Sequence, residues 1–459
     1  MVKNIVILGA GFAGIRVARE LSKKIHDKQY AIVLVDKADI HMYTPDLYEV
    51  ASSFHKRITK TCLTRLRSTV AIPVRKIIAK RPIVFIHDEV VDIDPKNHQV
   101  KLKKEGKINY EILVVALGSV TNYCGIQGME KNSFSMKNVK DALKINCELD
   151  QLVQKHQKEK KKLVITIGGG GACGVETAAE LVGSLRKLEK KYNYPREKLI
   201  IRLIEGSDVL AGLKEKGTRC IKKRFQNLGM EVFMNTKILK VNKKNIVGTF
   251  VKLHCDGKMS HFFEMQNRAG KGVSDNNTSR RFGKTVREKG HFFELPVCSM
   301  NYDMLIWTGG VMVNPLIQKI FGEKNLKGAI QTNTFLQSVR FPSVFAAGDN
   351  AYVENSFHTG NRLPMLAQIA LHEGTAIAKN IIRRIHGKSL LPYMPKEAIC
   401  LIPIGGKDAL FSFKKHVFTG AFFWWLRRLV SLKYYLEILP LKYAFHMWVR
   451  GAEIFTEND

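Results

Sequence analysis

The chain has 459 residues, a length that favours two or three packed units over a single core. Its 45% hydrophobic and 25% charged residues indicate a globular protein and exclude a disordered, collagen-like or disulfide-scaffold chain. Its 74 Lys and Arg against 41 Asp and Glu give a formal charge of +33, which suits nucleic acid, anionic lipid or small anions and selects none of them. The eight scattered cysteines predict reduced thiols and no metal site.

The first predicted unit is a strand, a glycine turn, a helix and a second strand. These elements are expected over residues 4–8, 9–14, 14–24 and 30–36. Gly9, Gly11 and Gly14 have the G-x-G-x-x-G spacing that lets a backbone approach a pyrophosphate at a helix N-terminus. Asp36 ends the second strand, where a carboxylate can accept hydrogen bonds from ribose hydroxyls. This order predicts a dinucleotide site.

A second unit with the same plan begins about 160 residues later. Its elements are expected over residues 162–167, 168–174, 175–188 and 199–205. Gly169, Gly171 and Gly174 repeat the spacing, and Glu205 ends the following strand, which favours NADH over NADPH. Arg202 and Lys214 leave NADPH open as the alternative. Two dinucleotide sites in one chain imply electron transfer between a retained flavin and a nicotinamide.

The rest of the chain supplies a third flavin contact and two segments of different character. Gly348 and Asp349 follow an apolar strand, so the Asp349 carboxylate is a candidate partner for a ribityl hydroxyl. Residues 258–296 contain eight Lys and Arg and predict a hairpin excursion or a disordered loop of unassigned role. After Leu410 lie 13 of the 41 aromatic residues and three of the four tryptophans.

That C-terminal segment predicts a helix over residues 417–430 and an amphipathic stretch over 432–450, interrupted by Pro440. Arg427 and Arg428 follow its aromatic run directly, a pattern typical of a helix lying in a lipid headgroup boundary. A helical cap on the flavin domain or a dimer interface is the alternative. No run of about 18 apolar residues occurs, and Met1 leads directly into a strand, so we expect neither a transmembrane helix nor a signal peptide.

The predicted fold class is α/β, with two Rossmann-like dinucleotide-binding domains and a C-terminal amphipathic, membrane-associating segment. The FAD-binding domain is expected over residues 1–120 and 319–400, the NADH-binding domain over 121–318, and the C-terminal segment over 401–459.

Seven motifs together resemble one family. They are residues 9–14 (GAGFAG), 41–48 (HMYTPDLY), 116–122 (ALGSVTN), 169–176 (GGGACGVE), 306–311 (IWTGGV), 345–349 (FAAGD) and 367–374 (AQIALHEG). In this order they are similar to type II NADH:quinone oxidoreductases, the single-subunit, non-pumping members of the two-dinucleotide flavoprotein superfamily. The resemblance runs from about residue 1 to 430.

The resemblance implies non-covalent FAD, NADH as substrate and two-electron reduction of a membrane quinone without proton pumping. It implies that Pro45 lines the flavin ring, that Thr121 and Asn122 lie at the crossover near the cofactor, and that Glu176 lies at the nicotinamide–flavin contact. It places Ala367 in the helix whose glutamine, Gln368, faces the quinone. Without the family context, Gln368 would be interpreted as a surface residue.

The resemblance also implies a peripheral protein on the cytoplasmic face of the cell membrane, with an anionic lipid surface and quinone as partners. A homodimer is left open, and no specific nucleic acid is expected. Sulfide:quinone oxidoreductase, or another FAD/NAD(P)H oxidoreductase of the same superfamily, is the alternative enzyme. For the first of these, Cys124, Cys173 and Cys298 could lie beside a flavin, although buried apolar cysteines are the simpler interpretation. A nucleic-acid-binding flavoprotein, or a binding module without turnover, is the alternative from another class.

Overall fold

The structure is a computed structural model. It describes residues 2–56, 58–253, 259–261, 285–288, 291–294, 297–322, 327–354, 362–414 and 416–456. Most of the basic stretch over residues 258–296 therefore lies outside the described residues.

The elements before residue 120 belong to the first domain. They are β1 (Lys3–Leu8), α1 (Phe12–Ser22), β2 (Tyr30–Asp36), β3 (Ile40–Met42), α2 (Leu47–Ser52), α3 (Lys60–Val70), β4 (Ala71–Pro73), α4 (Val74–Ile77), β5 (Ile83–His87), β6 (Val90–Asp94), β7 (Gln99–Leu102), β8 (Lys107–Asn109) and β9 (Ile112–Val115).

The elements from residue 119 to 321 include the second sheet, and the last helix among them, Pro315–Phe321, packs on the core of the first sheet. They are β10 (Ser119–Thr121), α5 (Met129–Asn132), β11 (Phe134–Ser135), α6 (Val139–Glu159), β12 (Leu163–Gly168), α7 (Ala172–Tyr192), β13 (Leu199–Ile204), α8 (Glu215–Asn227), β14 (Glu231–Phe233), β15 (Lys237–Val241), β16 (Asn245–Thr249), β17 (Val251–Leu253), β18 (Met259–His261), β19 (Thr285–Glu288), β20 (His291–Glu294), β21 (Cys298–Asn301), β22 (Met304–Trp307), β23 (Val311–Val313) and α9 (Pro315–Phe321).

The remaining elements return to the first domain and then form the C-terminal segment. They are β24 (Ile330–Gln331), β25 (Val344–Ala346), β26 (Ala351–Tyr352), α10 (Ala367–Ile385), β27 (Cys400–Pro403), β28 (Ala409–Phe413), β29 (His416–Gly420), α11 (Ala421–Ile438) and α12 (Leu441–Thr456). Short 3-10 helices occupy residues 44–46, 196–198 and 348–350.

Two parallel sheets form the centres of the two domains. The first has the order β25-β9-β1-β2-β5, so the late strand β25 completes the sheet that β1 begins. The second has the order β11-β22-β12-β13-β14, followed by the antiparallel strands β17 and β18. Their central strands are apolar on both faces, as in β1, where Ile5 to Leu8 are fully buried. On the first sheet, α1 packs on one face, and β6, β7 and α9 pack on the other. The predicted α/β class with two Rossmann-like units is confirmed.

One antiparallel strand pair joins the two domains. β10 pairs with β23, with Thr121 opposite Val311. β10 follows β9 of the first sheet and β23 follows β22 of the second, so the pair lies where the chain passes between the two sheets. The link places residues 118–122 and 310–313 side by side at the domain boundary.

The prediction of a helix over residues 417–430 is wrong at its start and short at its end. Residues 416–420 form β29, which pairs with β28, and α11 begins at Ala421 and continues to Ile438. Gly420 has φ +145°, a backbone conformation that ends the strand and turns the chain into the helix. The interruption predicted at Pro440 is present as the break between α11 and α12.

Candidate active site

The first glycine turn holds α1 against β1 and leaves space in front of the helix. A Cβ atom at Gly14 would lie 1.8 Å from the Gly9 carbonyl oxygen, so only glycine allows this approach. Gly11 has no atom within 4 Å of the position of a Cβ. The start of α1 has no side-chain cap and no acidic residue in its first turn, whereas α6 is capped by Asn138. Free N–H groups facing open space fit a pyrophosphate.

Asp36 is held at the end of β2 beside this turn. Its Oδ2 accepts from the Ala10 N–H at 2.6 Å and its Oδ1 accepts from the Ala38 N–H at 2.8 Å. Burial raises the pKa of Asp36, and the two backbone N–H groups oppose that change. Each carboxylate oxygen keeps a further lone pair, so the residue fits its predicted role toward ribose hydroxyls.

The second glycine turn repeats this geometry in the second domain. A Cβ atom at Gly174 would lie 1.9 Å from the Gly169 carbonyl oxygen, and Gly171 again faces open space. Glu205 follows β13 and accepts from the Gly170 N–H at 2.5 Å and from the Ser207 N–H at 2.8 Å. The structure thus brings the four predicted residues together around an uncapped N-terminus of α7.

The third predicted flavin contact lies against the first turn because α10 packs along α1. A Cβ atom at Gly374 would lie 2.8 Å from the Ala13 carbonyl oxygen, so glycine permits this contact. The Gly348 N–H donates to Glu373 Oε2 at 2.5 Å, which fixes the 3-10 turn on α10. Ser119 Oγ donates to Asp349 Oδ2 at 2.5 Å, and Arg362 Nη2 donates to the Asp349 carbonyl at 2.9 Å.

Glu373, which the sequence offers only as a candidate proton source for quinol, lies at this turn. It is buried, and burial raises its pKa to about 8. Its place in the AQIALHEG motif, three residues after Ala370, was the available signal. Its bond to Gly348 shows that it positions the turn rather than facing solvent.

Thr121 and Asn122 lie at the domain link, where the sequence places them. The Asn122 N–H donates to the Gly310 carbonyl at 3.1 Å, and Trp307 Nε1 donates to the Asn122 carbonyl at 2.7 Å. These bonds tie residues 121–122 to the strand that follows the second sheet. Both residues are therefore fixed between the two dinucleotide turns.

Pro45 lies just before α2 and Glu176 lies on α7, and these two helices pack against each other. Arg427 Nη2 donates to the Pro45 carbonyl and to Asp46 Oδ1, each at 2.9 Å. Burial raises the pKa of Glu176 to about 8, with Asp46 and Glu49 adding to the change and Arg427 opposing it. The charged side chains near Pro45 therefore contribute to the pKa of Glu176.

Ala367 and Gln368 form the first turn of α10, and both side chains are half-buried. Within the described part of the chain, the Gln368 side chain makes no hydrogen bond, so its amide is available to a ligand. The role of Gln368 toward quinone stays a prediction.

The orientation of Arg427 and Arg428 differs from the sequence expectation. Both are buried, at 8% and 6% exposure, instead of lying at a lipid boundary. Arg427 pairs with Asp46 at 2.9 Å and Arg428 with Glu49 at 2.8 Å. The sequence missed these pairs because their partners lie about 380 residues earlier in the chain.

A buried histidine connects α11 to the first glycine turn. His41 Nδ1 lies 2.8 Å from the Ala10 carbonyl, and His41 Nε2 lies 2.7 Å from the Tyr434 hydroxyl. Burial lowers the pKa of His41 to about 4, so the ring is neutral at pH 7. Since a carbonyl only accepts, Nδ1 carries the proton and Nε2 accepts from Tyr434. The Ala10 backbone is thereby held on both sides, by His41 and by Asp36.

The pKa of Glu176 predicts a pH effect on stability. The native state holds its proton up to about pH 8, whereas the unfolded chain releases it at the ordinary carboxyl pKa of 4.5. Between these values the native state binds more protons, so the free energy of unfolding falls as the pH rises. Glu176→Gln should therefore gain stability relative to the parent between pH 5 and 8, as measured by urea unfolding. Parallel pH profiles of the two proteins would contradict this.

The described cysteines do not favour thiol chemistry. All seven are free thiols, and no group of three or more His, Cys, Asp or Glu in the described ranges could hold a metal ion. Burial raises the pKa of Cys173 to about 12 and that of Cys298 to about 11, and it also raises that of Cys124. Such thiols are poor nucleophiles at neutral pH.

Comparison with known proteins defines the class. The chain belongs to the pyridine nucleotide-disulphide oxidoreductase family, which it matches over residues 3–374. It is therefore an oxidoreductase, and its cofactor is FAD, used with a pyridine nucleotide as substrate. The predicted enzyme class and cofactor are confirmed.

Particular relatives are more specific. The chain is 27% identical over 441 residues to the type II NADH:quinone oxidoreductase of Staphylococcus aureus (strain NCTC 8325 / PS 47), covering 92% of this chain and 95% of that protein. Among solved structures, NDH2 from Plasmodium falciparum in complex with NADH matches with a TM-score of 0.75 at 18% identity, covering 99% of this chain and 98% of that chain. The sulfide:quinone oxidoreductase of Aquifex aeolicus matches with a TM-score of 0.67 at 18% identity, covering 95% and 91%. The resemblance found in the motifs is confirmed.

Proposed function

We propose that this chain is a type II NADH:quinone oxidoreductase that works at a membrane surface. The observation that carries the proposal is the packing of α7, which carries Glu176 just after the second glycine turn, against α2, which follows Pro45 in the flavin domain. This packing supports a nicotinamide site beside the flavin site. The curated relatives named for this reaction support the same conclusion.

The residues of the chain supply binding and orientation. A flavin bound at the first turn supplies the hydride acceptor for NADH and the electron donor for quinone. Gly11 and the free N–H groups of α1 receive its pyrophosphate, and Asp36 its ribose. Glu176 is protonated at neutral pH and so presents no full negative charge to the incoming nicotinamide. No acid–base pair is required of the protein for a hydride step.

Glu205 supports NADH as the substrate. Both of its oxygens accept hydrogen bonds from the backbone of the turn, so the carboxylate is fixed where the adenosine ribose is expected. A carboxylate there accepts from a 2′-hydroxyl and repels a 2′-phosphate.

The C-terminal segment supports a bilayer surface as partner. Its outward side carries exposed apolar side chains, here called the apolar C-terminal face: Phe418, Phe422, Trp425, Leu429, Val430, Leu436, Leu441, Phe445 and Val449. These are half of the large exposed apolar side chains in the described ranges. A face of this kind marks an interaction surface, and a lipid-soluble quinone needs access from a bilayer. We place it on the cytoplasmic face of the cell membrane, with a dimer interface as the competing use.

No helix among the described residues combines the length and the apolar character needed to cross a bilayer. We infer a peripheral mode of binding from the apolar C-terminal face.

Sulfide:quinone oxidoreductase is the second candidate. The solved structure of that enzyme is similar to this chain in fold. The type II NADH:quinone oxidoreductase relative, which matches over 92% of this chain, favours the first function.

Reduction of the bound flavin tests the proposal. We expect the purified protein to show a flavin spectrum that NADH bleaches and that a soluble quinone restores, while sulfide leaves it unchanged. The double variant Cys124→Ala, Cys173→Ala should keep this cycle, because neither thiol takes part. If sulfide bleaches the flavin of the parent protein and not that of the double variant, the chain is a sulfide:quinone oxidoreductase instead.

A further inference from the structure

An open crevice of about 400 Å³ lies between α3 and α12, away from both dinucleotide turns. Three of its six lining residues are cationic and three carry hydroxyl groups. They are Lys60, Thr61, Thr64, Arg65, Ser68 and Arg450. None of these residues has a role in the site described above.

The chain builds this arrangement from two helices. On α3, Thr61, Thr64, Arg65 and Ser68 have the spacing that places them on one face. Arg450 extends from α12, and its Nη1 donates to Ser68 Oγ at 3.0 Å. Its Nη2 lies 2.8 Å from His446 Nε2, which orients the guanidinium.

The crevice keeps a net positive charge. Arg65 pairs with Glu453 at 4.0 Å, and both side chains are more than half exposed. A pair of this kind contributes little, so the Arg65 guanidinium stays available to another anion. Together with Lys60 and Arg450, it offers N–H donors that suit phosphate oxygens.

The position of the crevice favours a membrane lipid, over a soluble phosphate, as the ligand of these donors. Leu441, Phe445 and Val449 run along α12 at intervals of four residues and belong to the apolar C-terminal face. Arg450 follows Val449 directly, one step around the helix. The cations therefore border the apolar face, at the level where lipid phosphates lie when such a face enters a bilayer.

We propose that this crevice binds the phosphate group of an anionic membrane lipid. The proposal rests on the bilayer docking proposed above and adds a headgroup site to it. A soluble phosphate would satisfy the same donors, but it would not explain why the cations border the apolar face.

Vesicle binding by the flavin-loaded protein tests the site. The triple variant Lys60→Gln, Arg65→Gln, Arg450→Gln removes the cations of the crevice. A matched control, Lys101→Gln, Lys104→Gln, Lys107→Gln, removes the same charge from the exposed hairpin of β7 and β8. Co-sedimentation with phosphatidylcholine vesicles, with and without phosphatidylglycerol, gives the preference of each protein for the anionic lipid.

We expect the crevice variant to lose the preference by at least about tenfold, since each cation near the surface is worth about fivefold. The control should keep most of it, and flavin reduction by NADH should be unchanged in both. Lys60→Glu alters only one exposed side chain and should weaken the preference in the same direction. Equal losses in the crevice variant and the control would overturn the proposal, because overall charge would then explain the preference.

Two further arms separate the remaining explanations. Phe422→Ser with Trp425→Ser should abolish binding to both kinds of vesicle; unchanged binding would show that the bilayer docking itself is wrong. Calorimetric titration with inorganic phosphate should give no saturable binding at millimolar concentration. Saturable binding that the crevice variant loses, without any lipid preference in the parent, would replace lipid by soluble phosphate as the ligand.

Discussion

Replacing Gly14 by valine is expected to abolish FAD retention. The first carbon of the new side chain would fall 1.8 Å from the Gly9 carbonyl oxygen, and that carbonyl belongs to backbone between β1 and α1 that cannot rotate away. The helix must move off the strand, and the N–H groups of its first turn then no longer face the pyrophosphate. The flavin absorbance per mole of purified protein measures the effect.

The second glycine turn supplies a matched control for this change. Gly174→Val introduces a similar overlap, 1.9 Å from the Gly169 carbonyl oxygen, but in the other domain. It should leave the flavin in place and remove its bleaching by NADH. Stoichiometric flavin in Gly14→Val, or loss of flavin in Gly174→Val alone, would show that the two turns are assigned to the wrong ligands.

Replacing Arg427 by methionine should lower the free energy of unfolding by about 3–5 kcal/mol, the usual cost of leaving one partner of a buried ion pair. The side chains of Arg427 and Asp46 are only 10% and 6% exposed, so water cannot solvate the remaining carboxylate. The Pro45 carbonyl loses its donor as well. Urea unfolding at pH 7 measures the change.

Two comparisons make this prediction specific. Adding Asp46→Asn to Arg427→Met should recover part of the loss, because the unpaired charge is gone. Arg219→Met, which breaks a pair with Glu215 whose side chains are 75% and 86% exposed, should change stability by no more than about 0.5 kcal/mol. A loss below about 1 kcal/mol for Arg427→Met would mean that the pair is solvated.

The glycine turns and their acids could be predicted because their evidence is local. Strand, turn, helix and acid lie within 36 residues in the first unit, and steric limits on Gly9 and Gly14 act inside that segment. The same holds for Gly169, Gly174 and Glu205 in the second unit. Those residues lie where the spacing places them.

The direction in which α11 presents its charges could not be predicted. A pair of arginines after an aromatic run is equally consistent with lipid headgroups and with buried carboxylates, and only the distant residues Asp46 and Glu49 decide between them. Residues 416–420 (HVFTG) form a strand with β28, as their own composition favours, because valine, phenylalanine and threonine are strand formers and glycine is a poor helix former. The helix prediction was wrong there because it extended the pattern of α11 too far toward the N-terminus.

The hydrogen bond between His41 and Tyr434 can form only after nearly the whole chain has been synthesised. The two residues are separated by 393 positions, which a ribosome crosses in about 20–80 s at about 5–20 residues per second. During that time His41 can bond to the Ala10 carbonyl, but Tyr434 is not yet present to bond to His41. For most of that time β25 is also missing from the first sheet. The flavin-binding half therefore finishes last although its synthesis starts first, and we expect flavin capture to follow release of the complete chain.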